Sequence, residues 1–188
     1  RRSFQTRTKR HHPPPTRTQR RELMDYTIRE ANTADISAIH EIAHEVWPKA
    51  YAEVITAEQI AYMLDWMYSP PALSDQLRSG IRFLLLEDTT STPLGFASFR
   101  CLEGTHWKLD KLYVRSDRQK RGLGKSLIER VRLEIKQSGG TQLELQVNRK
   151  NKAVGFYEKN GFQILRVDDF DIGNGFYMND YIMGCPIE

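Results

Sequence analysis

The chain has 188 residues, 39% of them hydrophobic and 28% charged, with a net charge of +4. That length is one domain with a real core and a short tail, and no apolar run approaches the ~20 residues of a membrane-crossing helix. Two cysteines, Cys101 and Cys185, are too few for a disulfide scaffold and lack metal-ligand spacing; they point to reduced thiols, a cytoplasmic setting and no bound metal.

The basic charge is local. Residues 1–23 hold eight Lys and Arg against one acid, a net of +7, which leaves −3 on residues 24–188. The first segment also carries Pro13-Pro14-Pro15 and no helical apolar period, so it is expected to be a disordered leader. It reads as an appended segment or as a targeting or anion-binding arm. The folded domain is assigned to residues 24–188, opening at Met24. Its mildly acidic body weighs against nucleic acid and suits a cationic substrate.

From there strands and helices alternate. Tyr26 to Glu30 reads as a short strand. A helix from Thr33 places Ile36, Ile39, Ile42, Ala43 and Val46 on one face and is expected to stop before Pro48. Thr56 and Gln59 stand at capping-box spacing ahead of Ile60, Met63, Leu64 and Met67. That helix is expected to run out at Pro70-Pro71, with a turn or two of helix over residues 72–78. Residues 83–86 and 95–99 form an antiparallel hairpin, and residues 107–114 the next strand. A helix over residues 122–137 ends at Gly139-Gly140. Strand 143–147, helix 152–159 and strands 162–167 and 176–183 follow. Such an order describes a mixed sheet flanked by helices.

The junction after Val114 has the composition of an anion grip. Gln119, Lys120, Arg121, Gly122, Leu123, Gly124, Lys125 and Ser126 join a strand to a helix. Glycines let backbone N–H groups approach an anion, and the helix N-terminus and basic side chains add positive charge. A nucleotide P-loop would need glycine at Gln119, and a dinucleotide fingerprint would need glycine at Leu127. Both fail. Further on, strand 143–147 runs into Asn148, Asn151, Ala153, Tyr157, Lys159, Gly161 and Phe162. By themselves Phe156 and Tyr157 also fit plain helix-to-sheet packing.

Gln119-x-x-Gly122-x-Gly124 and the segment from Asn148 to Phe162 together resemble the two signature motifs of the GNAT acetyltransferase superfamily, over about residues 25–185. The resemblance implies a mixed, mostly antiparallel sheet with helices on both faces, splayed where acyl-coenzyme A binds. It implies an N-acyltransferase that moves acetyl from acetyl-CoA, a co-substrate, to a primary amine by direct attack. The loop from Gln119 to Ser126 would hold the pyrophosphate, and Leu112 and Val114 would meet the pantetheine arm beside a bulge. Tyr113 would offer its N–H to the thioester carbonyl. Asn151, or else Asn148, would contact the coenzyme, and Tyr157 would protonate the departing thiolate. The position where some members carry a glutamate base is Lys108 here, so Asp110 and His106 stand in as candidates. The acceptor would lie between the first helices, rich in Trp47, Tyr51, Tyr62, Trp66 and Tyr68, and an acidic closing hairpin, loosely as in polyamine-type and uncharacterised bacterial members. A small amine or a peptide amine fits this reading, with no membrane or nucleic-acid partner and with room for a homodimer. The missing glutamate keeps open a second reading, a non-catalytic acyl-CoA sensor.

Overall fold

The computed structural model describes residues 26–119 and 121–188; the leader, Met24 and Lys120 lie outside them. Its strands are β1 Tyr26–Glu30, β2 Arg82–Asp88, β3 Pro93–Glu103, β4 His106–Val114, β5 Gln142–Asn148, β6 Gln163–Gly173 and β7 Phe176–Pro186. They form one sheet in the order β1-β2-β3-β4-β5-β7-β6. Neighbours run antiparallel except β4 and β5, which are parallel. The helices are α1 Ile36–Tyr51, α2 Ala57–Tyr68, α3 Pro70–Arg78, α4 Leu123–Gln137 and α5 Ala153–Lys159. The mixed, mostly antiparallel architecture expected from the sequence is the one observed.

Two cores explain why β2 is an unbroken apolar run. Leu84 and Leu86 face a cluster built with Leu127, Ile128, Val131 and Ile135 of α4. Phe83 and Leu85 face Ile39, Ile42, Trp47 and Leu73 of α1 and α3. With both faces covered, alternation has no polar side to mark. The same period sorts β7: Tyr181, Met183 and Cys185 join the α4 side, while Met178 joins the α1–α3 side. Asp180 and Ile182 share the face of Met178.

Two boundaries and one cap differ from expectation. α1 runs through Pro48 to Tyr51. Trp47 and Tyr51, one turn apart, stack with ring centroids 4.3 Å apart and are both buried, and that packing outweighs the donor lost at an exposed proline. Pro70 and Pro71 do not merely end a helix; they open α3, where a missing N–H costs nothing. Thr56 accepts from Gln59 N at 3.1 Å, yet the box stays half formed. The Gln59 amide instead donates to Tyr177 O at 2.9 Å, tying α2 to the closing hairpin.

Candidate active site

β4 and β5 are paired only over residues 106–109 against 142–145. Beyond that, β4 keeps to β3 and β5 to β7. The departure begins at a bulge: Ser98 faces Lys111 and Phe99 faces Leu109, leaving Asp110 as the extra residue. Bulges twist a strand away from its neighbour, so a wedge opens between residues 111–114 and 146–148.

The wedge presents backbone donors. Arg115 N donates to Leu94 O at 2.8 Å. Donors alternate along a strand, so Tyr113 also turns its N–H to β3, while Leu112 and Val114 turn theirs to the wedge. This corrects the expectation for Tyr113, whose N–H is on the wrong side to meet a thioester. The Val114 carbonyl is taken by Gln119 Nε2 at 3.1 Å. Arg115 clamps the turn from below, reaching Pro93 O at 2.8 Å and pairing with Glu45 of α1.

The loop then enters α4 through Gly122, which is left-handed at φ 80° and has no side-chain cap. Only glycine takes that conformation without strain. Ser126 N closes the first helical bond on Gly122 O at 3.0 Å. Leu123, Gly124 and Lys125 are therefore the first-turn residues whose N–H groups have no helical acceptor. The Leu123 side chain is buried in the core, so its contribution is backbone alone. A Cβ on Gly124 would stand 3.2 Å from the Phe156 ring, which shows how closely the loop meets α5. Arg121 and Lys125 are exposed, with Lys125 Nζ 3.8 Å from Glu129. The Ser126 hydroxyl is engaged with Tyr26 OH at 2.6 Å. Lys120 lies outside the described residues.

The second motif converges on the same wedge. Asn148, at the end of β5, is buried and accepts from Lys150 N at 3.0 Å. Asn151 is half-buried and accepts from Ala153 N at 2.8 Å, anchoring α5. Tyr157 packs against Phe156 and Phe162 at centroid distances of 5.4 and 5.7 Å. Burial, with a smaller contribution from Tyr51, pushes the Tyr157 phenol above the ordinary tyrosine range. It stays neutral and keeps a proton to give. Tyr51 OH lies 3.4 Å from Tyr113 OH, and burial raises both of these phenols too.

The two expected bases fare differently. Asp110 sits at the bulge, but its carboxylate is held by Arg100 Nε at 3.0 Å and faces Lys108 Nζ at 3.8 Å, so it is a paired charge. His106 does not reach the wedge. It binds Glu144 at 3.2 Å within the closed part of the β4–β5 pair, about 20 Å along the strand from Leu112 at ~3.3 Å per residue. Lys108 donates to Gln146 Oε1 across that junction at 2.8 Å, and burial lowers its ammonium below the ordinary lysine range.

The residue that sequence reasoning passed over is Asp180. It is 4% exposed, and its Oδ1 is buried without a hydrogen-bond partner. The available signal was a lone acid between Met178 and Ile182 on the inward period of a strand. Nearby, a cavity of about 340 Å³ opens among Val54, Ile55, Gln59, Asn148, Lys150 and Tyr177. Of the expected aromatic group, Trp47, Tyr51 and Tyr68 are buried core. Tyr62 stacks on Trp66 at 6.2 Å, and Trp66 is 52% exposed.

A sheet split at a bulge, with an uncapped helix start and a neutral phenol at the split, is the architecture of an acyl-transfer domain. The chain belongs to the acetyltransferase (GNAT) domain family, which it matches over residues 51–181. It is 28% identical over 153 residues to a spermidine N(1)-acetyltransferase of Thermoplasma acidophilum, covering 79% of this chain and 94% of that one. An uncharacterized N-acetyltransferase of Bacillus subtilis, YuaI, is 26% identical over 164 residues, covering 85% and 92%. The solved PaiA N-acetyltransferase of Thermoplasma acidophilum, in complex with coenzyme A, superposes with TM-score 0.74 at 27% identity, covering 87% of this chain and 99% of that one. No helix among the described residues is long and apolar enough to cross a membrane.

Proposed function

We propose that this chain moves an acetyl group from acetyl-CoA to a primary amine by direct attack within a ternary complex. The observation that carries this reading is the convergence of three things at one wedge. These are the uncapped N–H groups of Leu123, Gly124 and Lys125, the wedge-facing N–H groups of Leu112 and Val114, and the neutral Tyr157 phenol.

Each suits one part of the coenzyme. A helix start with free donors favours the pyrophosphate. Strand donors opposite an unpaired edge suit the pantetheine amides and the thioester carbonyl, with Leu112 taking the role first expected of Tyr113. A phenol held protonated suits the leaving thiolate. Gln119 acts indirectly, by fixing the loop to Val114, and Gly122 supplies the left-handed turn. Arg121 and Lys125 add charge at the rim, as Lys120 is expected to. Asn151 is the better placed of the two asparagines, being the less buried.

The acceptor lies on the α1–α3 side, bordered by α2 and the closing hairpin. The exposed Asp168, opposite Asp180 on that face, with Trp66 beside Tyr62, suits an amine carrying positive charge. The name of the Thermoplasma relative makes a polyamine the first acceptor to try. The test is free-thiol release from acetyl-CoA across polyamines, amino sugars, amino acids and peptides. Saturable release with at least one cationic amine is expected. Tight coenzyme binding with no release for any amine would refute transfer and leave the sensor reading.

A further inference from the structure

β7 buries a carboxylate, that of Asp180, at the edge of the wedge. Asp180 lies on β7 opposite Asn148 of β5 and Asp168 of β6, just where β5 has left β4. Its side chain shares the α1–α3 face with Met178 and Ile182. Among the described residues it makes no ion pair within 4 Å and no hydrogen bond to Oδ1. Two cations stand within electrostatic reach, Lys108 from β4 and Arg149 beyond β5, together with the acid Asp169 of β6. Both cations have other partners: Lys108 binds Gln146 and faces Asp110, and Arg149 pairs with Asp169. α1 contributes the neutral hydroxyl of Tyr51, which feels the charge of Asp180 and in turn bears on Tyr157.

A buried charge without a partner is expensive. A ligand that offsets the cost must bring positive charge and N–H donors, which describes an alkylammonium. Resting on the transfer reading above, we propose that Asp180 receives the acceptor's ammonium and takes the first of its protons. This would explain how a chain with Lys108 at the customary base position does without that glutamate.

The step balances. The ammonium gives one proton to the Asp180 carboxylate, and the freed nitrogen pair forms the N–C bond to the thioester carbonyl carbon. The carbonyl pair moves to oxygen; when it returns, the C–S bond breaks and sulfur leaves with its electrons. The thiolate takes the Tyr157 proton, and the second nitrogen proton restores the phenol. Amide, free thiol and protonated Asp180 remain, and the carboxyl then releases its proton to water. Burial raises this carboxyl to about 6. It is then ionised at neutral pH yet close enough in strength to accept a proton.

The experiment measures kcat/KM for the amine against pH in the wild-type protein and in Asp180→Asn, with acetyl-CoA affinity followed in both. In the wild type, kcat/KM should fall on the acid side with a midpoint near 6. Asp180→Asn should lower it by roughly 10²–10⁴-fold and lose that limb, with acetyl-CoA affinity unchanged. Asp180→Glu should restore part of the rate and the limb. Wild-type kcat/KM in Asp180→Asn overturns the assignment, as does a wild-type profile flat from about pH 5 to pH 8; the latter needs no variant to fold. If the wild-type protein releases no thiol with any amine, the transfer reading fails as well, a result distinct from an active Asp180→Asn.

Discussion

The two sides of the wedge are built by opposite means. On the α4 side, the proposed coenzyme grip is backbone: a left-handed Gly122, three orphan N–H groups and two strand donors, all between residues 112 and 125. On the α1–α3 side, the proposed acceptor floor is side chains drawn from β4, β5, β7 and α1: Lys108, Gln146, Asp180 and Tyr51. The first kind of site suits a ligand that many chains share. The second suits one that each chain must recognise for itself. Substitutions on one side should therefore leave the other side's ligand untouched.

Tyr157→Phe offers the largest separation. Removing the proton donor should cut kcat by about 10²–10⁴-fold while coenzyme affinity holds, as calorimetry with coenzyme A would check. Equal loss of both would make Tyr157 a packing residue and blur the comparison.

Asp180 predicts a stability effect opposite to its catalytic one. Its carboxyl is raised to about 6, against an ordinary 3.8, so the folded state holds an extra proton between those values. Its contribution to stability is complete below the ordinary value and is lost as pH rises through about 6. Asp180→Asn should therefore be the more stable protein above that pH, by at most about 3 kcal/mol at 1.36 kcal/mol per pH unit. Chemical denaturation at acid and neutral pH would read the difference. A variant destabilised at neutral pH would contradict the unpaired-charge account.

Gly122→Ala forces a Cβ into a left-handed turn, at a cost of about 1–2 kcal/mol. It should lower coenzyme affinity and thermal stability together and leave the KM for the amine unchanged. Gln59→Ala is the smallest change and its mirror image. It removes the tie from α2 to Tyr177 O, worth about 0.5–1.5 kcal/mol. It should raise the amine KM and spare coenzyme affinity.

The same contrast governs how much of the molecule can be read from its sequence. The loop is legible because its chemistry belongs to contiguous residues, and Gln119 and Leu127 already exclude two other phosphate loops. The strands are legible because β2 carries an unbroken apolar run and β5 alternates Leu143, Leu145 and Val147 with polar residues. α1 was misread at Pro48 because the stacking of Trp47 on Tyr51, which carries the helix onward, is a packing effect. Asp180 could not be ranked above Asp110 from sequence. The difference between them is the pairing each finds in space: Asp110 meets Arg100 across a hairpin, and among the described residues Asp180 meets no countercharge within ion-pair distance. Tyr113 shows the same limit, since which way its N–H points depends on the register with β3.

The most direct test of the central claim follows the acetyl group itself. The protein is incubated with acetyl-CoA labelled in its acetyl carbons and with a polyamine, and the products are separated and weighed. The account predicts label on the amine nitrogen, one equivalent of free coenzyme A for each amide formed, and none bound to the protein. Label recovered only as free acetate, or held covalently on the protein, would contradict direct transfer to an amine.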